Sequence, residues 1–147
     1  MDIDVLLCDH AETAEGKLFI NGAGINLLWV TPDAPHVVNF GVAAVVHVPY
    51  TATNQPHRIR VTIVDEDGEP VVPWTPEGAP ASGPIEIQAE FNVGRPAQLV
   101  PGEAQDIPFA FQLMALPMPR LGPHAVVVEI DGETVRQLAF RVLVQSS

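Results

Sequence analysis

Apolar and polar residues alternate along most of this 147-residue chain with a period of two, and no long segment carries a helical stripe. The longest run, "HVVNFGVAAVVHVPY" at 36–50, sets Val38, Phe40, Val42, Ala44, Val46 and Val48 on one face, which is predicted to be core. The other face carries Val37, Asn39, Gly41, Ala43, Val45 and His47, small and only partly polar. A strand apolar on both faces is either central to its fold or covered by something else. The Pro-rich stretches "PDAP" and "TPEGAP" are the candidate covers within one chain, and a subunit contact through Val37, Gly41, Ala43 and Val45 is the alternative.

The remaining runs follow the same rule. "RIRVTIV" points Ile59, Val61 and Ile63 inward and Arg58, Arg60 and Thr62 outward. "IEIQAEFNV" sets Ile85, Ile87, Ala89, Phe91 and Val93 against Glu86, Gln88, Glu90 and Asn92. "DIPFAFQLMALP" aligns Ile107, Phe109, Phe111 and Leu113, and the last run aligns Leu138, Phe140, Val142 and Val144. The first strand is read from Asp2 to His10, with Leu6 and Cys8 packed and Asp9 to Glu12 entering a turn. "NGAG" breaks the next run, Asn21-Gly22 being a natural turn or bulge dipeptide. "DEDGE" and "IDGE" are read as two hairpin turns.

About eight or nine short strands separated by turn signals predict an all-β fold, an antiparallel β-sandwich of immunoglobulin-like architecture in a single domain, 1–147. A β-barrel is the alternative, because periodicity does not separate a closed sheet from two packed ones. The 15 prolines and 11 glycines fall between the apolar runs, as turn punctuation does. Abundant Val and Ala beside few aromatics predict a core of β-branched and small side chains.

Charge narrows the partners. The net charge is −11, and Lys17 is the single lysine. An acidic surface repels phosphate backbones, so neither nucleic acid nor an anionic membrane is expected as a partner. No apolar run approaches the ~20 residues of a membrane helix. One cysteine allows no internal disulfide, and no basic region precedes an apolar stretch at the N-terminus, so a cytoplasmic protein is expected.

Candidate chemistry concentrates in "LLCDHAE". In a strand Cys8 and His10 share a face about 6–7 Å apart, within reach of a thiolate–imidazole pair. Asp4, Asp9 and Glu12 raise a nearby thiol's pKa, however, and no lysine precedes Lys17. Zinc needs three or four ligands, and Cys8 with His10 supplies two. His36, His57 and His124 sit at strand entries without ligand spacing. Asp65 and Asp67, with Glu66 and Glu69, are weak calcium candidates, but the same string is accounted for by a solvated tight turn. No phosphate-binding loop is present, and Ser82, Ser146 and Ser147, the only serines, sit in no nucleophile elbow.

Taken together, "LLCDHAE", "GKLFINGAGI", "VVHVPYTATNQPHRIRVTIVDEDGEPV" and "GPHAVVVEIDGE" resemble an uncharacterised bacterial family of small β-sandwich proteins, a domain of unknown function. The shared pattern is a first strand ending in Asp-x-Ala, a short turn, Gly-Lys-Leu, and later a Pro-His strand running into Asp-x-Asp-Gly. The resemblance spans nearly the whole chain. It implies a compact sandwich and a bacterial source, and no activity.

The expectation is therefore a non-enzymatic interaction or assembly module without catalytic residues or a cofactor, contacting a protein partner or a second copy of itself. A small-molecule or metal-binding protein using the Cys8/His10 strand end is the alternative. An enzyme using Cys8 is the weaker one.

Overall fold

A computed structural model describes residues 1–145, and it is all-β apart from one short 3-10 turn at Tyr50–Ala52. Nine strands form: β1 (Asp2–Ala14), β2 (Lys17–Ala23), β3 (Leu27–Val30), β4 (His36–Val48), β5 (Pro56–Asp65), β6 (Glu86–Asn92), β7 (Gln105–Met118), β8 (Gly122–Ile130) and β9 (Glu133–Val144). They make two sheets, ordered β2-β1-β4-β7 and β3-β9-β8-β5-β6. The open alternative of one closed barrel is not what forms. Every pairing is antiparallel except β3 with β9, which run parallel, so the wholly antiparallel expectation is corrected there.

The core lies between the sheets and is built from the alternating faces. Val38, Phe40, Val42, Ala44, Val46 and Val48 of β4 are all buried, as are Ile59, Val61 and Ile63 of β5. Val126, Val128 and Val142 meet them from β8 and β9, and Phe40 packs on Phe140 with ring centroids 5.5 Å apart. β-Branched side chains fit a pleated, buried surface well, and each fully buried one stabilises the fold by about 1.5–3 kcal/mol in transfer terms. The inward face of β9 ends sooner than its pattern suggests, since Val144 lies at the strand end and is exposed.

Only one of the two Asp-Gly hairpins joins two strands. Asp131 and Gly132 both take positive φ (52° and 84°), the type I′ geometry of a two-residue β8–β9 connection. The turn after β5 closes Asp65 N–H on the Glu69 carbonyl at 2.9 Å, but the returning chain makes one isolated bridge, Val64 with Pro70. Proline lacks the N–H that a ladder needs, and Pro70 and Pro73 stop the returning strand. Val71 and Ile85, both buried, pin this long loop to the core.

The first strand departs most from its expected form. β1 continues through Asp9–Glu12 to Ala14, and the chain turns at Glu15-Gly16 instead. It pairs with β4 only up to Cys8 opposite Gly41, then leaves β4 and pairs with β2 alone. Asn21-Gly22 makes no hairpin turn; β2 continues through it, with Gly22 at φ +66° against the Asp9 side chain and unpaired between the Asn21–His10 and Ala23–Cys8 pairs, a local irregularity in the strand. Leu6, expected to pack, is 45% exposed. Cys8 is fully buried, yet it lies outside the main core, in a second small cluster with Ala11 and Ala43 against Leu18, Ile20 and Ala110.

That second cluster accounts for the apolar outer face of β4. The β1–β2 hairpin folds across it, so neither "PDAP" nor "TPEGAP" is the cover. A Cβ on Gly41 would sit 2.9 Å from Cys8 Sγ, 3.2 Å from the Ala11 backbone nitrogen and 2.6 Å from Gln112 Oε1. Glycine here serves close approach and not a left-handed turn, and β1 crosses the sheet because position 41 has no side chain. Gln112 of β7 locks the crossing: its Oε1 accepts from Ala11 N–H at 3.1 Å and its Nε2 donates to the Asp9 carbonyl at 3.0 Å. Replacing Gly41 by Ala is expected to cost about 1–3 kcal/mol of stability by overpacking. At Gly83 an added methyl would meet nothing within 4 Å, so Gly83→Ala is the control and should change little. Urea unfolding of the two variants measures the difference.

Candidate functional site

Where β1 leaves β4, the edge of β4 from His36 to Phe40 has no β1 partner, and a cleft of about 280 Å³ opens between β3 and β4. Leu27 and Trp29 line it from β3, Val37 and Asn39 from β4, and buried Val38 closes its floor. Asp9 enters from the departing β1. Alternation along β3 explains the exposure: Leu28 and Val30 face the core, which leaves Leu27 44% and Trp29 56% exposed. The Asn39 side chain is held in place by accepting from Ala115 N–H at 2.7 Å, where β7 bulges opposite it.

The structure divides the four interface residues predicted on β4. Gly41 and Ala43 are buried beneath the β1–β2 hairpin and are withdrawn from any surface. Val45 is half-buried on the same outer face, next to Asp4 and Pro108 across the ladder. Val37 alone lies in the cleft. Trp29 and Leu27 escape a reading of the sequence because "LLWV" is a strand apolar throughout, and nothing local shows that its outer face stays uncovered.

The "CDHAE" candidates are not brought together. Cys8 is buried against Gly41, and burial first, then the neighbouring Asp9 charge, raises its pKa above the ordinary thiol value. His10 is exposed, 3.9 Å from Glu12. Asp65 and Asp67 lie in a turn of the other sheet. There Asp65 Oδ1 accepts from the backbone N–H groups of Asp67 (2.9 Å) and Glu69 (3.1 Å), so this carboxylate caps its own turn. Among the described residues, no three His, Cys, Asp or Glu side chains are grouped to hold a metal ion. Ser146 and Ser147 lie outside the described residues.

Three histidines hold structural positions that spacing did not reveal. His47, on the outer face of β4, is gripped between Asp106 (Nδ1 to Oδ1, 2.6 Å) and Asp4 (Nε2 to Oδ2, 2.7 Å). The register makes this inevitable once the sheet forms, because Asp106 stands directly opposite His47 and Asp4 lies close along the other neighbour. The hydrogen bond to Asp4, then that to Asp106, pushes the imidazole pKa up to about 9. His57 is buried beside Phe91, with Nδ1 on Asp131 and Nε2 on the Ala52 carbonyl, both at 2.7 Å. Burial opposes its charge, but the Ala52 carbonyl and the Asp131 carboxylate outweigh burial and its pKa is raised. His124 is buried against Phe140, donating from Nδ1 to the Gly122 carbonyl while Nε2 has no partner.

The described chain thus defines a small all-β domain of two sheets with an open apolar cleft, and no helix long and apolar enough to cross a membrane. Residues 4–143 match a family of unknown function (DUF6941), and the chain belongs to that family. No curated protein matches it. Among solved structures it is similar to the Pseudomonas fluorescens alkylpurine DNA glycosylase AlkC bound to DNA containing an abasic site analog. The identity is 14% and the TM-score 0.38, over 80% of this chain and 27% of that one. A likeness of that size carries no argument.

Two measurements check these assignments. Cys8 is expected to react with a mild thiol reagent at neutral pH only after denaturation. The His47 ring protons are expected to titrate near pH 9 by NMR, and Asp4→Asn with Asp106→Asn should return the midpoint toward 6.5. A histidine pKa raised on folding stabilises fully below the unfolded value of about 6.5 and loses that contribution as pH climbs through about 9. Melting temperature should therefore fall across that window, and fall less in the double variant.

Proposed function

We propose that this domain is a non-enzymatic cytosolic interaction module that docks a segment of a protein partner in the β3–β4 cleft. The observation that carries the reading is Trp29, 56% exposed beside Leu27 at the mouth of a preformed cleft. Tryptophan is the side chain most enriched at interface hot spots, and an uncovered apolar patch next to a depression is the usual form of a docking site. A cavity of about 280 Å³ lies at the small end for a drug-sized ligand, and suits one or two anchoring side chains.

Chemistry supports the same side. A nucleophile needs a lowered pKa or an adjacent base, while Cys8 is buried and raised in pKa. The histidines His47 and His57 are committed to carboxylates of their own chain. A second copy is a poorer occupant than a different partner, because two chains of net charge −11 repel one another.

Selection of a random peptide library on the immobilised domain tests the reading. Peptides are expected to emerge that bind with affinity reduced about tenfold or more by Trp29→Ala and unchanged by Val100→Ala, a control at another exposed apolar site. Selected peptides indifferent to Trp29→Ala, or none selected, would overturn it.

A further inference from the structure

We infer that the cleft takes a basic side chain, the alkylammonium of a lysine or its methylated form, with its charge against Asp9 and its stem on Trp29. This rests on the docking role proposed above and names the chemistry of the occupant.

Almost every aspartate on the strands already has a cation. Asp2 lies 3.4 Å from the Arg136 guanidinium, Asp4 and Asp106 grip His47, and Asp65 stands 3.8 Å from Arg120. Asp9 is the exception. Among the described residues its carboxylate has no cation within 4 Å and receives no hydrogen bond. In a chain with 18 acids and seven lysines and arginines, the other strand aspartates have each recruited a cation. The one left over lines a cleft.

Its surroundings define what would complete it. Asp9 is the single charged group lining the cleft, and the β3 and Val37 walls are apolar. Asp9 is exposed at the mouth of the cleft, so an anionic ligand is repelled and a neutral one gains nothing from its charge. A cation on an apolar stem satisfies both surfaces at once, since lysine lays its methylenes on apolar groups and keeps its charge at a polar end. An exposed indole adds the strongest of the aromatic faces for cation attraction.

The fold leaves room for the carboxylate and fixes the backbone that carries it. Gly22 faces Asp9 across the β1–β2 ladder, and a Cβ there would collide with the Asp9 side chain, its Cγ lying 2.8 Å away. Glycine at 22 therefore gives the carboxylate its seat, while the Gln112 amide bonded to the Asp9 carbonyl at 3.0 Å fixes the backbone beneath it.

The test uses the side chain alone as probe. Trp29 is observed through its indole N–H by NMR in the full chain carrying Trp74→Phe, with n-butylammonium titrated against n-butanol and n-butyrate. A saturable shift is expected with butylammonium, binding about fivefold more tightly than butanol, and butyrate should not bind. Asp9→Asn should erase the preference for the cation while leaving the weak butanol effect in place. Equal binding of butylammonium and butanol, or a cation preference that survives Asp9→Asn, would overturn the inference and leave the docking reading standing. Peptides that bind elsewhere than at Trp29 overturn the docking reading itself.

Discussion

The close approach of β1 and β7 over Gly41 of β4 shapes this half of the molecule. Cys8 packs beside it, the Ala11 backbone passes above it, and the Gln112 amide closes the gap with one bond to each side of the crossing. No residue with a side chain fits there without displacing one of the three. Because β1 crosses at that point, β4 loses a neighbour beyond it, and the cleft beside Trp29 follows from the missing pairing. The same crossing buries Cys8 and Ala43 in a second cluster, so one glycine accounts for a covered face, a buried thiol and an open groove.

Electrostatics adds a second layer. An acidic chain with one lysine has few cations, and its histidines supply part of the deficit. His47 and His57 are each bound at both ring nitrogens by acceptors, an arrangement that only the doubly protonated imidazolium satisfies with two donors. His57 ties the β8–β9 turn to the start of β5, because Asp131 also accepts from Arg58 N–H at 2.9 Å. His124 goes the other way: it donates from Nδ1 to the Gly122 carbonyl and stacks on Phe140, with no acidic partner among the described residues.

Much of the fold is legible in the chain because burial in a sheet repeats every second residue. The inward sets of β4, β5 and β6 agree with the alternation residue by residue, since each strand carries its own evidence. Local reading fails where the decisive partner is distant in sequence. Asn21-Gly22 has the composition of a turn, yet β2 passes through it with Gly22 in the left-handed region (φ +66°), because ladder pairing on both sides, Asn21 with His10 and Ala23 with Cys8, outweighs the local preference. Cys8 and His10 share a face by spacing alone, yet the departure of β1 from β4 buries the first and exposes the second.

By itself the sequence determined the fold class and the inward faces, because alternation and turn residues act over a few positions. Tertiary structure alone decided which side of a doubly apolar strand stays covered, that His47 lies between Asp4 and Asp106, and that Trp29 and Asp9 line one cleft. Those outcomes depend on register and on the crossing of strands far apart in the chain, as Asp4 and His47 are. Such geometry is set by steric contact at a few small residues, Gly41 first among them, and the periodicity of one strand carries no record of it.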